Sequence, residues 1–224
     1  MPGTLLEEPR SAPPDLPPPE DGGGDDGDDG GGGIPPLPPE GGLPISLSRL
    51  ATLFVLAMVL MLFAGFISGY VILEAGEGRS WPPPEFPKLP FPFYISTALI
   101  ALSSAAGFMA SRSVHRRAAK KATLWILVTL VLGVGFCLSQ VSAWADLWYD
   151  GITPRSSNYS GNFYMITVVH ALHVLGGIIL LVMCFFRSMR QPAITSTLEE
   201  AWGNTMLYWH FVGVIWYVLF ALLL

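Results

Sequence analysis

Charged side chains are scarce in this sequence. Of its 224 residues, 13% are Asp, Glu, Lys or Arg, whereas 51% are hydrophobic. Soluble domains usually carry about a quarter charged residues. The shortage of charge therefore excludes an ordinary soluble domain and predicts a membrane protein, for which we expect no nucleic-acid partner.

Cysteine is almost absent too. Cys137 and Cys184 are the two in the sequence, and both lie inside apolar runs, where a thiol behaves as a small hydrophobic group. We expect neither a disulfide nor a metal site from them. A secretory signal peptide is also not expected, because the first apolar run begins only near Leu50 and is too long for one.

The first 47 residues differ in composition from the rest of the chain. They contain twelve prolines, eleven glycines and ten acidic residues against the single base Arg10. Such a segment buries too little apolar surface to offset the entropy of ordering, so we predict a disordered tail over residues 1–47. An acidic docking arm for a basic partner such as a cytochrome c is the alternative, and a solvated extension is the favoured interpretation.

Five apolar runs follow the tail, and together they define the predicted fold. About 20 apolar residues in a helix cross the roughly 30 Å hydrocarbon core of a bilayer. Helices satisfy their own backbone hydrogen bonds there, so the predicted class is an all-α bundle of five transmembrane helices in a membrane domain of residues 48–224. The predicted spans are approximately 50–73, 92–111, 123–147, 163–186 and 202–224.

Basic residues predict the orientation of these spans. Five Lys or Arg lie between the second and third spans, and Arg187 and Arg190 lie between the fourth and fifth. The positive-inside rule places both loops in the cytoplasm, with the N-terminus inside and the C-terminus outside. Aromatic residues at the predicted span ends are expected in the headgroup layer: Trp81, Trp148, Tyr149 and Trp202.

Polar side chains within the spans are costly and therefore informative. His170 and His173 lie three residues apart in the fourth span, His210 lies in the fifth and Gln140 in the third. The histidines could bind a metal or haem, or they could hydrogen-bond across helices and hold the bundle together, which is the favoured interpretation. Small residues in the spans are expected to let helix backbones approach closely: 103–107, Gly133, Gly135, Gly176 and Gly177.

Two sequence strings resemble subunit III of the haem-copper (cytochrome c) oxidases, in its five-span bacterial form. The stretch His170 to Gly177 is similar to the family's HxxHVxxG, and Tyr208 to Val212 followed by Trp216 is similar to its YWHFV...W. Weaker likeness lies in Phe63 to Phe66 with Tyr70, and in Leu102 to Ser104. The resemblance covers residues from about 50 to 224.

The resemblance implies a non-catalytic component of a respiratory oxidase in the bacterial cytoplasmic membrane, supporting aerobic electron transport and proton uptake. Haem and copper are expected in the partner, subunit I, which packs beside this chain with other oxidase subunits. Neither haem nor copper is expected in this chain. Bound phospholipid is expected in a cleft, for which the first two spans would separate from the rest. The residues with an implied interhelical role are His170, His173, Gly177, Trp209, His210 and Trp216.

Two departures from the family pattern stand at Val59 and Gly213, where the family commonly has acids. A proton-buffering role tied to the glutamate that Val59 replaces does not transfer, and the acid that could pair with a neighbouring histidine or lysine is missing at Gly213. A b-type haem membrane anchor remains an alternative, as does a subunit of a related quinol oxidase or nitric-oxide-reductase complex. A small transporter is disfavoured, because the spans show neither a repeat nor a proline break.

Overall fold

The computed structural model describes residues 45–77, 82–83, 86 and 89–224. Residues 1–44, for which a disordered tail is predicted, lie outside the described part. Trp81 also lies outside it.

Five long helices make up the membrane domain, and the predicted all-α class is confirmed. All five are long and apolar enough to cross a membrane, and no strand occurs among the described residues. With 25 to 33 residues each, they are about 37 to 50 Å long, so their ends extend beyond the hydrocarbon core. The helices are α1 Leu47–Glu77, α2 Phe91–His115, α3 Ala119–Tyr149, α4 Asn158–Arg190 and α5 Ser196–Leu223.

The helix starts follow from local chemistry. The Ser157 hydroxyl accepts a hydrogen bond from the backbone N–H of Ser160 and caps α4, and Thr195 does the same for α5 through Leu198. Pro92 lies in the first turn of α2, where its missing N–H costs nothing. Arg117 takes a left-handed conformation, with φ of 53°, in the short turn between α2 and α3.

The helices do not pack equally. Helix α2 packs closely on α3 and also on α5, α3 packs on α4, and α4 packs on α5. Helix α1 contacts α4 and α5 alone among the described helices, and most of its surface is exposed. The expectation that the first two spans separate together from the rest is therefore wrong for α2, because its packing against α3 is the most extensive in the bundle.

Candidate functional site

His170 lies at the centre of the bundle. Its side chain is 1% exposed, and aromatic rings from three other helices surround it. The ring centroids lie 5.9 Å from Phe63 of α1, 6.1 Å from Phe136 of α3 and 5.2 Å from Trp216 of α5. His170 is thus a shared packing point for four helices.

The imidazole of His170 has no hydrogen-bond partner for either nitrogen within the described part of the chain. Phe63 and Phe136 meet it edge to face, an arrangement in which an N–H can point at an aromatic π-face. The described residues contain no group of three His, Cys, Asp or Glu placed to hold a metal ion. Ligation of a haem by His170 would require these rings to move aside.

The other two histidines have different surroundings. His173 Nδ1 lies 2.8 Å from the carbonyl oxygen of Val169 in its own helix, and its ring lies 5.4 Å from Phe63. His210 is half-buried and makes no side-chain hydrogen bond with any described residue. The structure therefore brings His170 and His173 together on Phe63 and gives His210 no interhelical partner among the described side chains.

Three buried tryptophans join α5 to α2. Trp202, Trp209 and Trp216 are 2%, 1% and 0% exposed and follow one another at seven-residue intervals. Each indole N–H donates to a hydroxyl on α2: Trp202 to Ser111 at 2.9 Å, Trp209 to Ser103 at 3.2 Å and Trp216 to Thr97 at 3.0 Å. We refer to these three pairs as the tryptophan ladder.

The ladder follows from helical geometry. Seven residues are close to two helical turns, so the three indoles lie on one face of α5. The hydroxyls that accept from them occur in reverse order along α2, because the two helices are antiparallel. Trp202, for which the headgroup layer stays a prediction, is buried against α2 rather than exposed at the surface of the bundle. Trp148 and Tyr149, by contrast, are 61% and 88% exposed at the end of α3.

The middle indole of the ladder fills a space between two glycines. A Cβ placed on Gly177 of α4 would lie 2.8 Å from Trp209 Cε3, and one on Gly133 of α3 would lie 2.8 Å from Trp209 Cη2. Because Trp209 also bonds to Ser103 of α2, one side chain of α5 contacts three other helices. The predicted role of these two glycines changes: they make room for an indole rather than for a neighbouring backbone.

Hydroxyl and amide groups tie α2 to α3. Gln140 Nε2 donates to Ser96 Oγ at 2.8 Å, and Ser103 Oγ donates to the carbonyl oxygen of Thr129 at 3.0 Å. Ser103 thereby accepts from α5 and donates to α3 at the same time. The interhelical hydrogen bonds are made here by hydroxyls and by Gln140. The interpretation that the three histidines hydrogen-bond across helices is wrong, because none of their side chains makes such a bond with a described residue and His170 acts through ring packing instead.

A hydrogen bond and an ion pair link the α2–α3 turn to the start of α5. His115 Nδ1 lies 2.9 Å from Glu199 Oε1, and Arg117 Nη2 lies 3.7 Å from Glu199 Oε2. Arg117 Nη1 also donates to the carbonyl oxygen of Ile194 at 2.9 Å. The left-handed turn at Arg117 aims its guanidinium at the loop before α5.

An open groove separates the first half of α1 from α4 and α5. At its polar end the Ser48 hydroxyl donates to Glu200 and accepts from Asn204 Nδ2 at 3.2 Å, and Arg187 also lines it. Apolar side chains such as Val55 and Leu180 line the remainder, and the volume is about 500 Å³. We call this the α1 groove.

The two positions that depart from the family pattern are both core positions. Val59 is 6% exposed in the hydrophobic core, and Gly213 is buried with its Cα facing Ile100 and Ser104 of α2. Neither position offers an ionisable group.

Five apolar helices held together by buried indoles and hydroxyls define a multi-pass membrane protein. Residues 45–224 match the sequence profile described as cytochrome c oxidase subunit III. The chain therefore belongs to the cytochrome c oxidase subunit III family, which confirms the resemblance found in the sequence and the expectation of a subunit III of a haem-copper oxidase.

Individual proteins agree with this assignment. A protein named probable cytochrome c oxidase subunit 3 from Nocardia farcinica is 31% identical over 182 residues, covering 79% of this chain and 86% of the relative. One of the same name from Mycobacterium leprae is 32% identical over 178 residues, covering 80% and 87%. Cytochrome c oxidase subunit 3 of Thermostichus vulcanus is 29% identical over 163 residues, covering 73% and 79%.

Proposed function

We propose that this chain is the non-catalytic subunit III of a respiratory haem-copper terminal oxidase complex and supports its catalytic subunit in aerobic electron transport and proton uptake. The observation that carries the proposal is that the family match covers the whole described bundle. The motif residues His170, Trp209 and Trp216 lie at its centre.

The chemistry of these residues supports a scaffolding role. Their polar atoms face rings and hydroxyls of the same chain, and packing rather than proton or electron transfer accounts for their arrangement. Haem and copper would then belong to subunit I, packed beside this chain in the bilayer with the other oxidase subunits.

The α1 groove is the place we propose for bound phospholipid. Arg187 at its polar end can pair with a phosphate, and the second N–H of Asn204 Nδ2 offers a further donor beside it, whereas the Ser48 hydroxyl already donates to Glu200. The apolar walls below, formed in part by Val55 and Leu180, suit acyl chains. Of the two helices expected to open a cleft, α1 alone supplies a wall.

We propose the bacterial cytoplasmic membrane as the location, with the N-terminus inside and the C-terminus outside. The basic residues of the α2–α3 and α4–α5 connections support this orientation. A reporter fused at Leu224 that is active on the outer side of the membrane would agree with this orientation. Activity of the reporter on the cytoplasmic side would contradict it.

Purification of the tagged chain from its native membrane tests the function. We expect haem and copper to arrive with a large co-purifying membrane subunit, and the chain stripped of that subunit to be colourless in the visible range. A Soret band on the stripped chain would instead support a b-type haem anchor using His170, His173 or His210. Assays with reduced cytochrome c and with quinol would show which donor the complex uses.

A further inference from the structure

A second groove lies between α3 and α4, and residues of these two helices line it. It has a volume of about 220 Å³, and Gln140 and Trp144 of α3 line it together with Val168 and Leu172 of α4. Leu172 is 62% exposed at its rim, and the neighbouring Val141 is 57% exposed. We call it the α3–α4 groove.

Two residues that line this groove each have a polar atom without a partner among the described residues. Gln140 Oε1 and Trp144 Nε1 are both buried, and neither has a hydrogen bond within the part of the chain that the structure describes. The Gln140 side chain as a whole is 2% exposed. Buried polar atoms are nearly always hydrogen-bonded in folded proteins, so this pair calls for a partner.

The amide orientation of Gln140 identifies the chemistry of that partner. Ser96 Oγ donates its proton to the carbonyl oxygen of Phe93 at 2.8 Å, so it acts as the acceptor for Gln140 Nε2. The amide oxygen is then the atom left over. One acceptor on Gln140 and one donor on Trp144, a single helical turn apart, suit a group that both donates and accepts.

The depth of Gln140 and Trp144 in the bilayer limits which molecule can supply the partner. Trp144 and Gln140 lie five and nine residues before Tyr149, the last residue of α3, which places them about 7 and 14 Å along the axis from that helix end. Acyl chains at the depth of Gln140 carry no hydrogen-bonding groups. A polar side chain on a neighbouring transmembrane helix does reach this depth.

We propose that the α3–α4 groove receives a hydroxyl side chain, from Ser, Thr or Tyr, on a transmembrane helix of another subunit of the oxidase complex. The hydroxyl donates to Gln140 Oε1 and accepts from Trp144 Nε1. The inference rests on the proposed function, since it requires membership of that complex, and it assigns α3 and α4 to a subunit contact.

Trp144→Phe tests the proposal. It removes the unpartnered N–H without breaking any hydrogen bond within the described chain. We expect the variant to reach the membrane at the normal level but to retain its oxidase partners at least threefold less well in detergent. Trp148→Phe is the matched control, since Trp148 is exposed on the same helix and lines neither groove. Equal retention by both variants would overturn the proposal.

A photo-crosslinking residue at Leu172 identifies the occupant directly. We expect a crosslink to a membrane-spanning oxidase subunit identified by mass spectrometry, weakened by Trp144→Phe. Crosslinks to lipid alone, or none while the oxidase still co-purifies, would overturn this inference and leave the proposed function standing. Failure of any oxidase subunit to co-purify would remove the proposed function and this inference with it.

Discussion

Trp209 lies against Gly177 so closely that a single methyl group on the glycine would come within 2.8 Å of the indole. The contact joins the two family motifs, one on α4 and the other on α5. It explains physically why the string around His170 ends in glycine and why the string around His210 contains tryptophan.

Gly177→Ala should destabilise the bundle by about 1 to 3 kcal/mol, because the indole is held on its other side by Gly133 and has no free direction to move. Thermal unfolding of the purified complex followed by tryptophan fluorescence would measure the change. Gly176→Ala is the control, since its new Cβ would lie 3.5 Å from the Tyr208 hydroxyl, an ordinary contact. Similar unfolding temperatures for the two variants would contradict the packing described.

Ser103→Ala should lower stability by about 0.5 to 2 kcal/mol, because it leaves the Trp209 N–H and the Thr129 carbonyl without a side-chain partner. The neighbouring Ser104 makes no side-chain hydrogen bond with any described residue, so Ser104→Ala should change little. Unfolding in a denaturing detergent, compared between the two variants, checks the difference. If Ser104→Ala proved the more harmful, the tryptophan ladder would not be the main tie between α2 and α5.

His170→Ala should be the most damaging of the three intramembrane histidine substitutions, with a loss of about 2 to 4 kcal/mol from the cavity left among Phe63, Phe136 and Trp216. His210→Ala should have little effect on the bundle. The yield of intact oxidase per unit of membrane reports both. A loss of a haem band in proportion to this chain would contradict the packing role and point to ligation.

Glu199→Gln should weaken the link between the α2–α3 turn and α5 by less than about 1 kcal/mol, since the pair with His115 is largely solvent-exposed. High salt should reduce the difference between wild type and variant, because exposed charges are screened. Unfolding temperatures at low and at molar salt give the comparison. A difference that persists unchanged in molar salt would show that Glu199 does not act through its charge.

Periodicity and composition predict the helices of this protein well, because a bilayer leaves few alternatives for an apolar run of 20 or more residues. They do not predict which helices touch. The positions of Trp202 and of Gly133 illustrate the limit, because a tryptophan near a span end and a glycine within a span each fit several environments. The seven-residue spacing of the tryptophans was the available signal, but the hydroxyls that receive them lie on a helix about a hundred residues earlier.

The candidate site, too, could be predicted from the sequence only in part. The family strings single out His170, Trp209 and Trp216, and the structure places all three in the core. The unpartnered atoms of Gln140 and Trp144 could not be found from the sequence, because satisfaction of a polar group depends on neighbours that only the packed bundle specifies.

The sparse packing of α1 has a consequence for biosynthesis. The ribosome makes α1 before the other four described helices, and its partners α4 and α5 come after α2 and α3, whereas α2 can pack on α3 as soon as both have been made. During synthesis α1 must therefore remain in the bilayer without a protein neighbour from its own chain, stabilised by its apolar surface alone. A nascent chain interrupted before α4 would leave α1 unattached, so the packing of α1 is completed only when α5 enters the membrane.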